Sequence, residues 1–334
     1  GFAGLSKAMP DPGFMHLWAG TGSAANPMGV DWLGIISGLG FVLSFGYWCT
    51  DFLVIQRALA AESLPAAQRT PLIAAFPQAL FPFVTVLPGL LAVVMIKGIG
   101  SPTDEALSYN MAMPLLLAKL YPSGMLGVGL TAMLASFMSG MAGNVTAFNT
   151  VWTYDLYQSY IAKNKSDQHY LWMGRIATAG GIIISIGTAY LVMKFRSIMD
   201  YMQLIFSFFN APLFATFLLG MFWKRTSPWG AFWGLLLGIA SAVALYVLTI
   251  NNIITYNSEM AGNFWRATIA WCICFAATIA ITMFTAPKPE KDLWGLCWGL
   301  TDPAPPASIS WHKRPEILAV IVSVLTIVLN LAFW

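Results

Sequence analysis

Three polar clusters and one lone amide interrupt otherwise apolar stretches of this sequence, and each admits a chemical and a packing explanation. Ser136, Ser139, Gly140, Gly143 and Thr146 fall near one helical face, with Asn144, Asn149 and Thr150 beside them. Hydroxyl and carbonyl oxygens at that spacing are what a hard cation takes. The same row of small residues also lets two helices approach closely. Gln203, Ser207 and Asn210 share a second face, and Asn210 precedes Ala211-Pro212, where a helix break is expected. A buried amide with several partners suits recognition of a polyol, and equally suits gluing helices together. Gln78 stands beside Pro77, with Pro82 and Pro88 following. An amide in that setting needs partners from a neighbouring helix or a ligand. In Ser44-Phe-Gly-Tyr-Trp-Cys-Thr-Asp51, Gly46 amid Ser44, Tyr47 and Trp48 fits a helix that opens its backbone to a ligand. An interfacial aromatic belt with a glycine for close packing fits as well.

The elements that hold these residues are membrane helices. The 334 residues are 58% hydrophobic and only 9% charged, whereas a soluble domain carries about a quarter charged residues. Eight apolar stretches reach the roughly 20 residues needed to cross a bilayer: 31–49, 73–96, 122–150, 172–193, 200–223, 229–250, 264–286 and 315–334. Breakers lie between them at Pro71, Pro102, Pro122, Pro228, Pro287, Pro289 and the Pro303–Pro306 cluster. Residues 103–120, with Thr103 as a cap and Asp104 and Glu105 after it, read as a short helix on the membrane surface.

Lys and Arg set the orientation. Arg57, Arg69, Lys163, Lys165, Arg175, Lys224, Arg225, Lys288, Lys291, Lys313 and Arg314 fall on one side. Lys7, Lys97, Lys119, Lys194, Arg196 and Arg266 fall on the other, eleven against six of the 17 basic residues. The positive-inside rule places the first set, and loops 50–72, 151–171, 224–228 and 287–314, in the cytoplasm. Both ends then face outward. Asp155 and Arg175, at the inner ends of consecutive spans, are expected to pair. The opening stretch, Gly1 to Val30, is loop-like and begins without Met, and it reads as a cut edge.

Other function classes find no foothold. Cys49, Cys272, Cys274 and Cys297 have neither metal spacing nor a disulfide framework, and His16, His169 and His312 are scattered. No His, Cys, Asp and Glu cluster lies within a span to support a membrane enzyme. The net charge of +3 is dispersed, without a basic run that would bind nucleic acid.

Several segments, in order, resemble the sodium-solute symporter family of the sodium/glucose cotransporter type. Gly220-Met-Phe-Trp-Lys-Arg225 through Gly230-Ala231, Gly234 and Gly238 matches the family signature. Tyr47 to Asp51 with Gln56-Arg57 is similar to the sixth core helix, Met133 to Tyr157 to the eighth, and Asp200-Tyr-Met-Gln203 to the tenth. The resemblance implies an all-α integral membrane protein, part of a five-plus-five inverted-repeat core with the solute at mid-membrane. Residues 1–30 would be an extracellular loop, 31–223 the second repeat, and 224–334 three peripheral helices. The first repeat, on missing N-terminal helices, would complete the sites.

Carried over, the resemblance implies sodium-coupled uptake of a sugar or sugar-like solute at the plasma membrane. Ser44, Gln78 and Gln203 would read hydroxyls, while Tyr47, with Trp48 as its neighbour, would stack on the ring and close the inner side. Ser136, Ser139 and Gly140 would face the sodium ion. Gln78 stands where sugar transporters often carry Lys, and Gly140 where the family usually has a second hydroxyl. Ala142 and Gly143 offer no hydroxyls for a second sodium. An amino acid, carboxylate or osmolyte symporter of the same family is one alternative, and a weakly coupled sugar sensor or leak channel that keeps the fold is another.

Overall fold

A computed structural model describes the chain except residues 24, 25, 27, 101–104, 194, 196, 301–313 and 334. The expected cap at Thr103 and Asp104, Pro102, the Pro303–Pro306 cluster, Lys194, Arg196, His312 and Lys313 lie outside the described residues, as does the side chain of Glu105.

Among the described residues the regular structure is helical, with eight helices long and apolar enough to span a bilayer. They are α1 (Trp32–Thr50), α2 (Leu64–Met95), α3 (Ser123–Ile161), α4 (Asp167–Val192), α5 (Ile198–Phe222), α6 (Pro228–Ile250), α7 (Glu259–Met283) and α8 (Pro315–Ala332). The chain is a multi-pass membrane protein. Their starts follow from side-chain caps, which satisfy backbone N–H groups that no helical carbonyl reaches. Asp31 caps α1, Ser166 caps α4, Ser227 caps α6 and Ser258 caps α7. Pro228 occupies the first turn of α6, where its missing N–H removes no bond.

Two predicted boundaries move. Pro71 does not start α2: the helix begins at Leu64 and runs on through Pro71, Pro77, Pro82 and Pro88. Likewise α5 continues through Pro212 instead of breaking after Asn210. Within a bilayer an interrupted backbone has no water to turn to, so helices persist through proline. Residues 151–161, read as loop, extend α3 as wide π-type turns.

The chain divides into two compact units, residues 1–90 with 199–334 and residues 91–198. In the first, Val42, Leu43, Ala211, Phe264 and Ala267 form a continuous core. Asp31 uses one oxygen for its cap and the other to accept from Trp265 Nε1 at 3.0 Å, which ties α1 to α7. The family-signature glycines explain the α6–α7 pair. Gly230, Gly234 and Gly238 are buried in one row and face Thr282, Thr278 and Cys274. A Cβ on Gly238 would stand 2.8 Å from both Cys274 Cβ and Pro212 Cβ, so three helices meet where this side chain is absent.

In the second unit, α3 packs along α4 at Gly174 and Gly181, which receive Asn149 and Phe148. Asp155 and Arg175 do not pair. Arg175 lies over the Trp172 ring at 5.3 Å, and among the described residues the ion pair is Lys224 with Glu290. Aromatic hydroxyls close the hairpin instead: Tyr157 Oη lies 3.0 Å from His169 Nε2, and Tyr170 donates to the Ala162 carbonyl at 2.8 Å.

Candidate functional site

The expected solute residues lie on α1, α2 and α5, all within the first unit. Helix α1 is π-helical over Ile35–Phe45 and α-helical from Gly46 to Thr50. Such wide turns gather at functional sites. Gly46 itself does not open the helix. Its backbone is helical, and a Cβ there would meet Phe214 Cβ at 3.0 Å and Asn210 Nδ2 at 3.3 Å. The glycine is a contact point between α1 and α5, and the chain leaves the helix only at Asp51.

Asn210 bridges the same two helices. Its Nδ2 donates to the Leu43 carbonyl at 3.1 Å, and its Oδ1 accepts from Thr50 Oγ1 at 3.3 Å. Tyr47 is half-buried and packs on Phe206, with ring centroids 5.6 Å apart, and meets Trp48 edge-on. Phe206 is one turn along α5 from Gln203. Ser44 is half-buried, and Trp48 is 48% exposed.

Gln203 is the most constrained of the set. It is 9% exposed, its Oε1 is buried without a hydrogen-bond partner, and its Nε2 reaches only Met199 Sδ at 3.6 Å. A buried amide oxygen without a donor costs roughly 1–3 kcal/mol, so the site keeps an acceptor that this part of the chain leaves unused. Gln78 is different. It is exposed on α2.

The expected cation residues lie on α3 in the second unit. The helix is unbroken from Ser123 to Thr150, so its carbonyls are engaged along the helix, and the Gly140 carbonyl also accepts from Asn144 Nδ2 at 3.0 Å. Ser136, Ser139 and Gly140 are all exposed, and a Cβ on Gly140 would meet nothing within 4 Å. A groove of about 430 Å³ between α3 and α4 is lined by Phe137, Gly140, Asn144, Phe148, Gly181 and Ser185 among others. Ser136 and Ser139 do not line it. At 100° per residue they lie further round α3, on the flank away from α4. Three residues apart, their hydroxyls present one patch.

Sequence reasoning passed over two residues of α7. Arg266, counted among outer basic residues, is 2% exposed within the helix, and its neighbour Asn263 is 3% exposed. The available signal was a charge placed among apolar residues, which marks an interior position in a membrane protein.

Comparison with known proteins supplies the family. A family model described as the sodium:solute symporter family matches residues 15–238. The chain is 30% identical to sodium/glucose cotransporter 1 of Ovis aries over 297 residues, covering 80% of this chain and 43% of that protein. It is 29% identical to sodium/glucose cotransporter 1 of Oryctolagus cuniculus, covering 81% and 44%. It is also 29% identical to sodium/myo-inositol cotransporter 2 of Homo sapiens, covering 65% and 34%. The chain thus spans less than half the length of these curated relatives. The family match, the ordered motifs and the eight apolar helices agree: the chain belongs to the sodium:solute symporter family.

Proposed function

We propose that this chain works within a longer transporter of the cell membrane that couples a sodium gradient to uptake of a sugar or sugar-like polyol. Transport proceeds by alternating access, with residues 31–223 as the second inverted repeat and 224–334 as peripheral helices. The observation that carries the solute reading is the Gln203 amide, buried with its oxygen unpartnered and its nitrogen held only by a thioether. A solute hydroxyl donates to that oxygen and accepts from that nitrogen, and water does the same when the site is empty. Tyr47, one turn away through Phe206, offers a ring face to an apolar pyranose surface, with Ser44 and Trp48 on the same helix. Gln78 joins the solute only if α2 turns its face inward. The relatives named for glucose and myo-inositol support a polyol as the class.

The sodium ion takes the Ser136 and Ser139 hydroxyls and the second lone pair of the Gly140 carbonyl. The rest of its shell comes from the missing N-terminal helices, because the exposed flank of α3 offers no further oxygens of its own at this level. Uptake of labelled D-glucose and labelled myo-inositol by the full-length protein, with and without an inward sodium gradient, tests the reading. Sodium-dependent accumulation of either is expected. Facilitated equilibration without accumulation favours a second reading, a weakly coupled sensor or leak channel, for which the Asn144 hold on Gly140 is the supporting observation.

A further inference from the structure

Asn263 and Arg266 form a polar relay in the first turns of α7 that ends on the helix carrying Gln203. Arg266 Nη1 donates to Asn263 Oδ1 at 2.7 Å, and Asn263 Nδ2 donates to the Asp200 carbonyl at 3.0 Å. The polarity of this relay has one solution. A guanidinium only donates and a backbone carbonyl only accepts, so the amide between them must present its oxygen to Arg266 and its nitrogen to Asp200. The far end is anchored too. The guanidinium lies over the Tyr246 ring at 5.1 Å, and Tyr246 meets Phe208 edge-on at 5.6 Å.

Helix register extends the argument to Gln203. Asn263 meets Asp200 at one end of the α5–α7 contact, and Cys274 Sγ donates to the Pro212 carbonyl at 3.2 Å near the other. The sequence offsets, 63 and 62, are nearly equal, so α5 and α7 run parallel and in step. Asp200 is one turn before Gln203, and Met199, which holds Gln203 Nε2, lies in the same turn. The relay therefore fixes the turn from which the Gln203 amide projects.

Stability alone is a poor reason for this arrangement. Arg266 is 2% exposed, its Nε is buried without a partner, and no carboxylate oxygen lies within 4 Å of it among the described residues. A buried guanidinium without a carboxylate partner is costly, and an apolar side chain of similar volume often serves stability better. What the charge does supply is a single orientation for Asn263.

We propose that Asn263 and Arg266 are positioning residues for Gln203, and that they set solute affinity without touching the solute. The inference rests on the reading of Gln203 as a solute contact. Uptake of labelled D-glucose, or of labelled myo-inositol where that is the solute taken up, by the full-length protein tests it. Asn263→Ala is expected to raise the half-saturating solute concentration about fivefold, the worth of one neutral hydrogen bond, with the maximal rate per surface-expressed protein and the sodium requirement unchanged. Asn263→Asp keeps a partner for Arg266 while deleting the donor to Asp200, and is expected to act in the same direction. Arg266→Lys, which keeps the charge, is expected to retain most of the affinity that Arg266→Met loses.

The decisive measurement is the double variant. If the relay acts through Gln203, Asn263→Ala adds less than about twofold in a Gln203→Ala background. Retention of the full fivefold effect there overturns the proposal. So does a set of Asn263 and Arg266 variants that lose thermal stability or surface expression while half-saturation stays fixed. A Gln203→Ala variant with unaltered half-saturation overturns the underlying reading, and the positioning role with it. An effect of Gln203→Ala with none from Asn263→Ala removes the positioning role alone.

Discussion

Helices α5 and α3 carry the two sets of polar residues that matter here, and they treat them in opposite ways. Of the most apolar stretch of α5, 39% is buried within the chain, against none of α3. Gln203 is enclosed by its own unit, so its unmet hydrogen-bonding capacity is a property of this chain. Ser136 and Ser139 are exposed on an unbroken helix whose other flank packs on α4. In the proposed sodium site their oxygens would be part of a shell that some other surface completes. A buried amide can be half of a binding site by itself, because burial alone makes it seek a partner. A row of exposed hydroxyls cannot, because the hydroxyls of a membrane helix satisfy themselves on their own backbone, as Thr146 does on Ala142 and Thr150 on Thr146.

That contrast predicts different failures. The largest is expected at Ser139. Two side-chain oxygens are all that α3 offers the ion, so Ser139→Ala in the full-length protein nearly abolishes the sodium dependence of uptake. Sodium titration of uptake checks this, and an unchanged titration would mean that α3 plays no part in coupling. Next comes Gln203→Ala. Losing a buried partner for a solute hydroxyl costs roughly 1–3 kcal/mol, which is about a five- to hundredfold rise in half-saturating solute concentration at an unaltered sodium requirement. A shift in both titrations together would erase the distinction between the two helices.

A third variant probes the packing that encloses α5 rather than its polar groups. Gly238→Ala places a methyl group 2.8 Å from Cys274 Cβ and Pro212 Cβ, with helix backbone behind each. Overpacking of this kind costs about 1–3 kcal/mol, read as a lower thermal midpoint of the detergent-solubilised protein. The corresponding change on α3, Gly140→Ser, meets nothing within 4 Å and should leave the midpoint unmoved. Its effect is the smallest and has the opposite sign: an added hydroxyl beside Ser136 and Ser139 is expected to lower the half-saturating sodium concentration by about two- to fivefold, the scale of one net hydrogen bond. A Gly140→Ser protein that needs more sodium would show that the added side chain blocks the site.

The sequence by itself determined the eight spans, the family and the residue types of the two proposed sites. Hydrophobic runs near bilayer length, Ser and Asp caps, and the Gly230, Gly234 and Gly238 spacing are all local patterns, and a membrane leaves few other ways to fold them. Spacing also sufficed to put Ser136 with Ser139 and Gln203 with Ser207. The tertiary structure decided which of the competing readings each residue obeys. Gly46 proved to be a contact point because Phe214 lies against it, and nothing near Gly46 in the chain announces Phe214, 168 positions on. Pro212 failed to end its helix because the alternative was unbonded backbone in an apolar medium, and α2 begins before Pro71, at Leu64. Arg175 chose the Trp172 ring over Asp155, and Arg266 turned from a presumed outer charge into the buried end of a relay to Asp200. In each case the deciding partner is distant in sequence or set by helix rotation. Local spacing fixes the face a residue lies on, and only packing fixes what that face meets.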